Sequence, residues 1–196
     1  MKAMNELMLH FMQDIYYAEK LGVRSMAKLA KAVENKELKD AILAHREQSQ
    51  HQIERLDQVF EALGKRAKGK TCAAMNGLVE EGEEASDEFE RGPVLDAALI
   101  ACGQAIEHYE IARYGAMVAW AKQLGLTEAA DLLQQTLDEE KANDGVLNDL
   151  AERVLNPAAS NEKSDEDDDD DEEDESEGID KGDEPKGETK KKRAKK

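Results

Sequence analysis

The feature of this chain that most constrains its fold is a helical spacing of apolar residues, which persists over most of the sequence. In the N-terminal segment, apolar or small residues recur three and four positions apart, from Met8 through Met12 and Ile15 to Val33. This spacing places them on one face of an α-helix, whereas a half-buried strand alternates every second residue. Similar stripes recur later in the chain, and strand-like alternation is almost absent. The sequence therefore predicts an all-α fold.

Glycine and proline divide the helical pattern into segments. A second helix runs from about Leu38 to a stop at Gly64, a short third helix covers roughly residues 72–89, a fourth begins at Pro93 and stops at Gly125, and a fifth, capped by Thr127, ends at Asn156-Pro157. Four of these helices are long enough for a bundle, and the short one falls between two helical hairpins. We predict a ferritin-like antiparallel four-helix bundle with a short extra helix in the crossover.

The sequence divides into a helical domain over residues 1–157 and a charged tail over residues 158–196. Asp165 to Glu175 form an unbroken acidic run, and Lys190 to Lys196 are nearly all basic. Like charges repel within each run, and there is little apolar surface to bury, so we expect the tail to be disordered. We interpret it as a solubilising tail. As alternatives, the acidic run could bind divalent cations weakly or occupy a basic surface, and the basic end could contact nucleic acid or acidic membrane.

Composition limits the partners of this chain. A formal net charge of −18 on 196 residues indicates poor affinity for nucleic acid or anionic membrane and favours metal ions as partners. No apolar run approaches the ~20 residues of a membrane helix, and polar residues interrupt the N-terminus where a signal peptide would lie. Cys72 and Cys102 lie far apart, which indicates free thiols in a reducing compartment. We therefore expect a cytoplasmic protein.

Polar residues interrupt the apolar stripe near the middle of every long helix. They are Glu19 on the first helix, His45 on the second, Glu107 and Glu110 on the fourth, and Glu140 and Asp144 on the fifth. A buried carboxylate is costly unless it is protonated, paired or coordinated, and no Lys or Arg occupies the same stripe positions. One or two metal cations would neutralise carboxylates that meet at one level. Oxygen ligands with an imidazole suit iron or manganese.

Each of these residues taken alone has a simpler interpretation. A single Glu on an inner stripe is often a bundle-edge residue that reaches water, and a single His is often a hydrogen-bonded core residue. Tyr109 and Tyr114 are interpreted as packing residues. The coincidence of polar residues across four helices favours a metal site over these alternatives.

Several short motifs, which occur in one order along the chain, resemble those of the YciE/YciF bacterial stress-protein family. They are Asp14–Lys20, Cys72–Glu81, Asp96–Ala101, Glu107–Ile111 and Thr136–Lys141. The resemblance covers about residues 4–155 and excludes the tail. It implies membership of the ferritin-like superfamily, near rubrerythrin and manganese catalase, and a link to stress responses.

The resemblance also implies a ligand pattern like that of the rubrerythrin di-iron site. Glu19 matches the single Glu of the first helix, and Glu107 with Glu110 matches the Glu-x-x-Glu of the third bundle helix. The pattern requires Glu-x-x-His on the other two bundle helices, and there the sequence departs from it. The last bundle helix has Glu140-x-x-x-Asp144, with a carboxylate in place of the imidazole and one residue further on.

The second helix departs further from the pattern. It has His45 on its inner stripe, and Gln48 stands where a carboxylate would be expected. Glu47 and His51 also lie four residues apart, but on the opposite face of the helix. Either this helix is rotated relative to the predicted phase, or its part of the metal site is incomplete.

The function expected from these observations is a stress-associated ferritin-like protein with a carboxylate-bridged di-metal centre. Two iron or manganese ions would act on iron, peroxide or oxygen, with Glu110 and Glu140 as bridging ligands and the other four candidates as terminal ligands. The alternative is a non-catalytic helical protein with a structural or interaction role in the stress response. In either case, the ferritin-like resemblance favours a homodimer.

Overall fold

The computed structural model describes residues 3–162, and all of its regular structure is helical. The helices are α1 (Met4–Ala32), α2 (Lys36–Ala62), α3 (Ala73–Glu88), α4 (Pro93–Gln123) and α5 (Thr127–Leu150), followed by a π-helical turn (Ala151–Leu155) and α6 (Asn156–Ser160). The all-α prediction and the position of the short crossover helix α3 are confirmed. The acidic and basic runs of the predicted tail lie outside the described residues.

The helix boundaries follow the glycine and proline signals closely. Gly64 and Gly125 adopt positive φ angles of 63° and 70° just after α2 and α4, a conformation that costs glycine little. Pro93 is the first residue of α4, where its missing N–H has no helical partner to lose. Thr127 begins α5 and makes no capping hydrogen bond, so the predicted cap at this residue is wrong.

The α1 and α4 helices lie antiparallel, as contacts at their two ends show. Near the start of α4, the carboxylate of Asp96 accepts hydrogen bonds from the backbone N–H groups of Glu34 (3.0 Å) and Asn35 (2.7 Å), which follow the end of α1. At the other end, Phe11 of α1 packs edge-on against Trp120 of α4. Asp96 therefore ties the α1–α2 connection to the first turn of α4.

The α2 and α5 helices are also antiparallel. Glu37 in the first turn of α2 forms an ion pair of 2.8 Å with Arg153, just beyond α5, while Arg55 near the end of α2 bonds to Thr136 in the first half of α5. Together with the short α1–α2 and α4–α5 connections, this arrangement confirms the predicted four-helix bundle.

Two apolar cores lie along the bundle, with a polar layer between them. The larger core contains Met8, Met12, Phe60, Met117 and Leu133, among others. The smaller core is made by residues from the opposite half of the same helices, including Val33, Leu38, Leu99, Leu147 and Leu155. On all four long helices, the sequence-predicted polar residues fall between the two cores. This layer holds the candidate site.

The C-terminal end of the bundle differs from the prediction. The chain was expected to leave the helix at Asn156-Pro157, but it continues to Ser160, so the predicted domain boundary at residue 157 falls within α6. The π-helical turn precedes the proline, with Asn156 N–H bonded to Ala151 O. Proline lacks an N–H and crowds the carbonyl four residues back, and a wider turn accommodates it.

None of the helices in residues 3–162 combines the length and apolar character that crossing a membrane would require.

Candidate metal centre

Four polar side chains from three helices meet in the layer between the two cores. His45 of α2, Glu107 and Glu110 of α4, and Glu140 of α5 each offer a ligand atom, and these atoms all lie within 4.8 Å of one another. All four side chains are buried, Glu140 completely. Helical periodicity explains why α4 contributes two of these residues, because residues three positions apart, such as Glu107 and Glu110, share one face of a helix.

His45 and Glu107 form a buried ion pair. Nε2 of His45 lies 3.0 Å from Oε1 of Glu107 and 3.7 Å from Oε2 of Glu140. Burial by itself would lower the pKa of His45, but the hydrogen bond and negative charge of Glu107 outweigh it and raise that pKa. Burial opposes ionisation of Glu107 as well, and His45 outweighs it, so the pKa of Glu107 is lowered. One positive and one negative charge therefore stabilise each other inside the cluster.

The pKa values of Glu110 and Glu140 are raised, in contrast to that of Glu107. Burial raises the pKa of Glu110 well above its ordinary value, and the charges of Glu19 and Glu107 raise it further. The pKa of Glu140 is also strongly raised, by burial first and then by Glu110 and Glu107. Burial and the neighbouring carboxylates therefore favour the protonated form of both carboxyl groups, unless a cation replaces the protons.

Glu19 lies next to this group of four on α1. Its side chain is 1 % exposed, and its Oε1 accepts a hydrogen bond of 2.5 Å from the hydroxyl of Tyr114. Burial raises the pKa of Glu19 to about 7, although the Tyr114 hydrogen bond and the positive charge of His45 oppose the shift. Tyr114 packs in the larger apolar core, as expected, and its hydroxyl also orients a candidate ligand.

Asp144 does not join the cluster. Its Oδ1 lies 3.2 Å from Nε2 of His108, an exposed residue of α4, and Asp144 itself is partly exposed. Four residues advance a helix by about 400°, so Asp144 lies about 40° beyond Glu140, toward the outer side of α4. Asn143 lines the site instead, and it contributes to the lowered pKa of Glu107. The sequence signal for Asn143 was its spacing of three residues from Glu140, the position at which the di-iron pattern has a His.

Gln52 supports the site and was not predicted to do so. It is completely buried on α2, and its Nε2 donates hydrogen bonds to Glu140 and, at 3.2 Å, to Glu139. Its place on the inner stripe of α2, two turns after His45, was the available signal. Because its amide donates to two carboxyl groups, Gln52 holds the side chain of Glu140 in one orientation.

One basic side chain enters the interior from a position outside the predicted inner stripes. Arg55 is 9 % exposed, and its guanidinium donates to Glu139 at 2.5 Å and to Thr136 at 2.6 Å. Arg55 occupies a position beside the apolar stripe of α2, which is why the stripe alone did not reveal it. It neutralises Glu139, outside the group of four, and leaves the cluster carboxyls without a Lys or Arg partner of their own.

Several atoms of the cluster have no hydrogen-bond partner in the described chain. They are Nδ1 of His45, Oε1 of Gln52, and Oε2 of both Glu107 and Glu140. A proton shared between the two carboxyl groups, or a cation, would satisfy their oxygens. Two ligand atoms that each lie about 2.0–2.2 Å from the same ion are at most about 4.4 Å apart. This distance is only slightly shorter than the 4.8 Å within which the four ligand atoms lie. One nitrogen and three carboxylates at this spacing can hold a metal ion.

Comparison with known proteins then places the chain in a family. The family described as "Domain of unknown function (DUF892)" matches residues 3–160. The chain belongs to the DUF892 family. Protein YciF of Escherichia coli strain K12 is 47% identical over 163 residues, which cover 83% of this chain and 98% of the relative. These matches confirm the YciF-type resemblance.

Solved structures of three similar proteins share the fold. The crystal structure of the E. coli stress protein YciF has a TM-score of 0.76 and covers 80% of this chain and 99% of that chain. YcfI of Rhodopseudomonas palustris is 44% identical with a TM-score of 0.74, covering 75% and 94% of the two chains. A protein of Xanthomonas campestris pv. campestris is 26% identical with a TM-score of 0.61, covering 78% and 94%.

The α2 helix of this DUF892 protein contributes one candidate ligand. Glu47 and His51 are exposed, and His51 pairs with Glu54 on the surface, so the predicted phase of the helix is correct. His45 faces the interior, and Ser49 and Gln52 occupy the next buried positions. The structure therefore excludes the rotated helix, and the sequence of α2 lacks the Glu-x-x-His pair of the di-iron pattern.

Proposed function

We propose that this protein is a stress-associated ferritin-like protein whose buried cluster binds iron or manganese at a carboxylate-bridged centre and acts on iron, peroxide or oxygen. The observation that carries this proposal is the convergence of His45, Glu107, Glu110 and Glu140, with unpartnered atoms, between two apolar cores. The stress association rests on the E. coli relative, which is described as a stress protein.

The four convergent residues would hold the first ion. A second ion would lie on the side of Glu19, with Glu110 and Glu140 as the bridging carboxylates. Ferritin-like di-metal proteins use a Glu from each of two helices together with Glu-x-x-His pairs from the others, and this chain provides fewer nitrogen ligands than that. Asp144 is left out of the proposed set because it lies against His108. The two positions would therefore be unequal.

Bound ions would supply redox equivalents and act as Lewis acids. The residues of the chain would perform the remaining tasks. Glu110, Glu140 and His45 give up their protons to become ligands, so the cluster exchanges protons for cations. Tyr114 holds Glu19 in place through the 2.5 Å hydrogen bond, and the apolar cores on both sides exclude bulk water.

Metal content measured together with the absorption spectrum tests the proposal. Protein purified from medium supplemented with iron and manganese should contain about two ions per chain. Glu140→Ala should abolish metal binding, whereas Asp138→Ala, which removes an exposed acid two residues earlier on the same helix, should retain it. Full metal content in Glu140→Ala would exclude the assigned ligand set.

A second candidate function is a non-catalytic structural or interaction role. The His45–Glu107 pair, with protons on Glu110 and Glu140, can neutralise the cluster without any metal, and this observation favours the alternative. The R. palustris relative is described as a proposed structural protein. Natural protein that remains free of metal after growth in supplemented medium and after titration with ferrous and manganous salts would support this candidate over the first.

A further inference from the structure

The candidate metal centre opens on one side into a small cavity that extends beyond the proposed ligands. Glu19, His45, Glu107 and Glu110 line the end next to the cluster. The cavity then extends toward the smaller apolar core, where Leu38, Leu99, Ile100 and Leu147 line it. Half-buried Met26, Leu29 and Ile42 lie between α1 and α2 and mark the side on which the cavity approaches the surface.

The volume of the cavity is about 50 Å³, which limits its occupant to a few atoms. A cavity needs about 10–15 Å³ measured in this way to hold one water molecule. Part of the space exists because α4 carries Gly103 here. A Cβ added at this glycine would meet only Leu147 Cδ1 within 4 Å, at 3.7 Å.

The lining determines which small molecule is favoured. Beyond the cluster, the polar groups of the wall are those of Ser25, Ser49 and Asn143, and the other side chains there are apolar. Water or hydrogen peroxide in the apolar part would lose hydrogen bonds, which costs several kcal/mol per unsatisfied group, and such cavities remain dry. A diatomic gas without hydrogen-bonding groups loses nothing on entry.

We propose that this cavity is a binding site for a small apolar gas, with dioxygen as its ligand, and that it delivers dioxygen to the cluster from the side of the smaller core. This inference rests on the proposed metal-dependent function and narrows its choice of oxidant. Hydrogen peroxide is strongly hydrated and would lose hydrogen bonds in the apolar part of this cavity, so the cavity favours dioxygen over peroxide.

Xenon is the probe for the gas site, because it is apolar, small and visible to X-rays. Crystals of the metal-free protein held under xenon pressure should show the atom between Leu99, Ile100 and Leu147. In Gly103→Val the added side chain should fill the space and remove the xenon. Gly115→Val is the matched control on the same helix, since nothing lies within 4 Å of a Cβ at that position. Absence of xenon from the natural protein would overturn the proposal.

Kinetics with two oxidants test delivery. Dioxygen takes two electrons from two ferrous ions and two protons to give hydrogen peroxide, whereas hydrogen peroxide takes two electrons and two protons to give two waters. In the iron-loaded protein, Gly103→Val should slow oxidation by dioxygen by roughly tenfold and leave oxidation by added peroxide within about twofold. Equal slowing with both oxidants would refute a dioxygen-specific route.

Two further results separate this inference from the proposed function. A protein that binds xenon but neither iron nor manganese would refute the metal-dependent function and leave the gas site in place. A protein that binds iron but no xenon would refute the gas site alone. Gly103→Ala is a milder second variant, because its Cβ makes an ordinary 3.7 Å contact with Leu147, and it should reduce xenon occupancy even if Gly103→Val fails to fold.

Discussion

Replacement of Glu19 by Gln should make the stability of the metal-free protein less sensitive to pH. Glu19 is almost completely buried and lies close to two other cluster carboxyls, and burial is the main cause of its raised pKa. A glutamine side chain has nearly the same shape, and its amide oxygen can still accept the hydrogen bond from Tyr114. The substitution therefore removes the titrating group while retaining the packing around it.

The expected magnitude follows from the difference between the folded and unfolded pKa values. The pKa of Glu19 is about 7 in the folded protein and 4.5 as the ordinary value. The folded state therefore binds more protons than the unfolded state between these values, so the free energy of unfolding falls as pH rises through this interval. A difference of 2.5 units, from 7 minus 4.5, corresponds to about 3 kcal/mol, most of which is lost between about pH 5 and about pH 8.

Urea denaturation in the presence of a chelator, at about pH 5 and about pH 8, measures this effect. The natural protein should lose about 2–3 kcal/mol more than Glu19→Gln over this range. Glu80→Gln is the control, because Glu80 is exposed on α3 and the substitution removes the same charge. If the natural protein and Glu19→Gln show the same dependence on pH, then Glu19 is hydrated in solution and the dry polar layer is not maintained.

Three further predictions concern the site and the fold. Glu140→Gln keeps a hydrogen-bonding side chain but removes an anionic ligand, so it should weaken metal binding. At a metal concentration that raises the Tm of the natural protein by about 5–10 °C, calorimetry should show an increase of less than about 2 °C for the variant. Metal added to unbuffered metal-free protein near neutral pH should release about three to four protons per chain, from His45, Glu110, Glu140 and in part from Glu19, whose pKa is about 7. A pH electrode that records no release would contradict a protonated ligand set. Asp96→Ala removes the acceptor of two backbone N–H groups and should lower the free energy of unfolding by about 3 kcal/mol, against less than about 0.5 kcal/mol for exposed Asp87→Ala.

Most of the fold could be predicted from the sequence because its signals are local. The apolar spacing on each helix and the stops at Gly64 and Gly125 act within a few residues of the chain, and the structure confirms them. The helix end at Pro157 was predicted incorrectly, because a single π-helical turn accommodates the proline. The π-helical turn and α6 both pack against α4, and local sequence signals do not encode this contact.

The candidate site was predictable in outline and not in its details. Polar residues on inner stripes indicated the level at which Glu107, Glu110 and Glu140 meet. Whether Asn143 or Asp144 faces the site depends on how α5 is rotated about its own axis relative to α4. A rotation by a fraction of a turn would exchange the two side chains. The sequence pattern allowed either residue.

The sequence by itself determined that this chain forms long amphipathic helices and that carboxylates interrupt their inner faces. Those properties depend on the order of neighbouring residues, because helix geometry converts spacing along the chain directly into a face. Only the tertiary structure decided that His45 pairs with Glu107, that Gln52 supports Glu140, and that a cavity adjoins the cluster. These depend on the rotation and register of whole helices, which the packing of many distant side chains sets together.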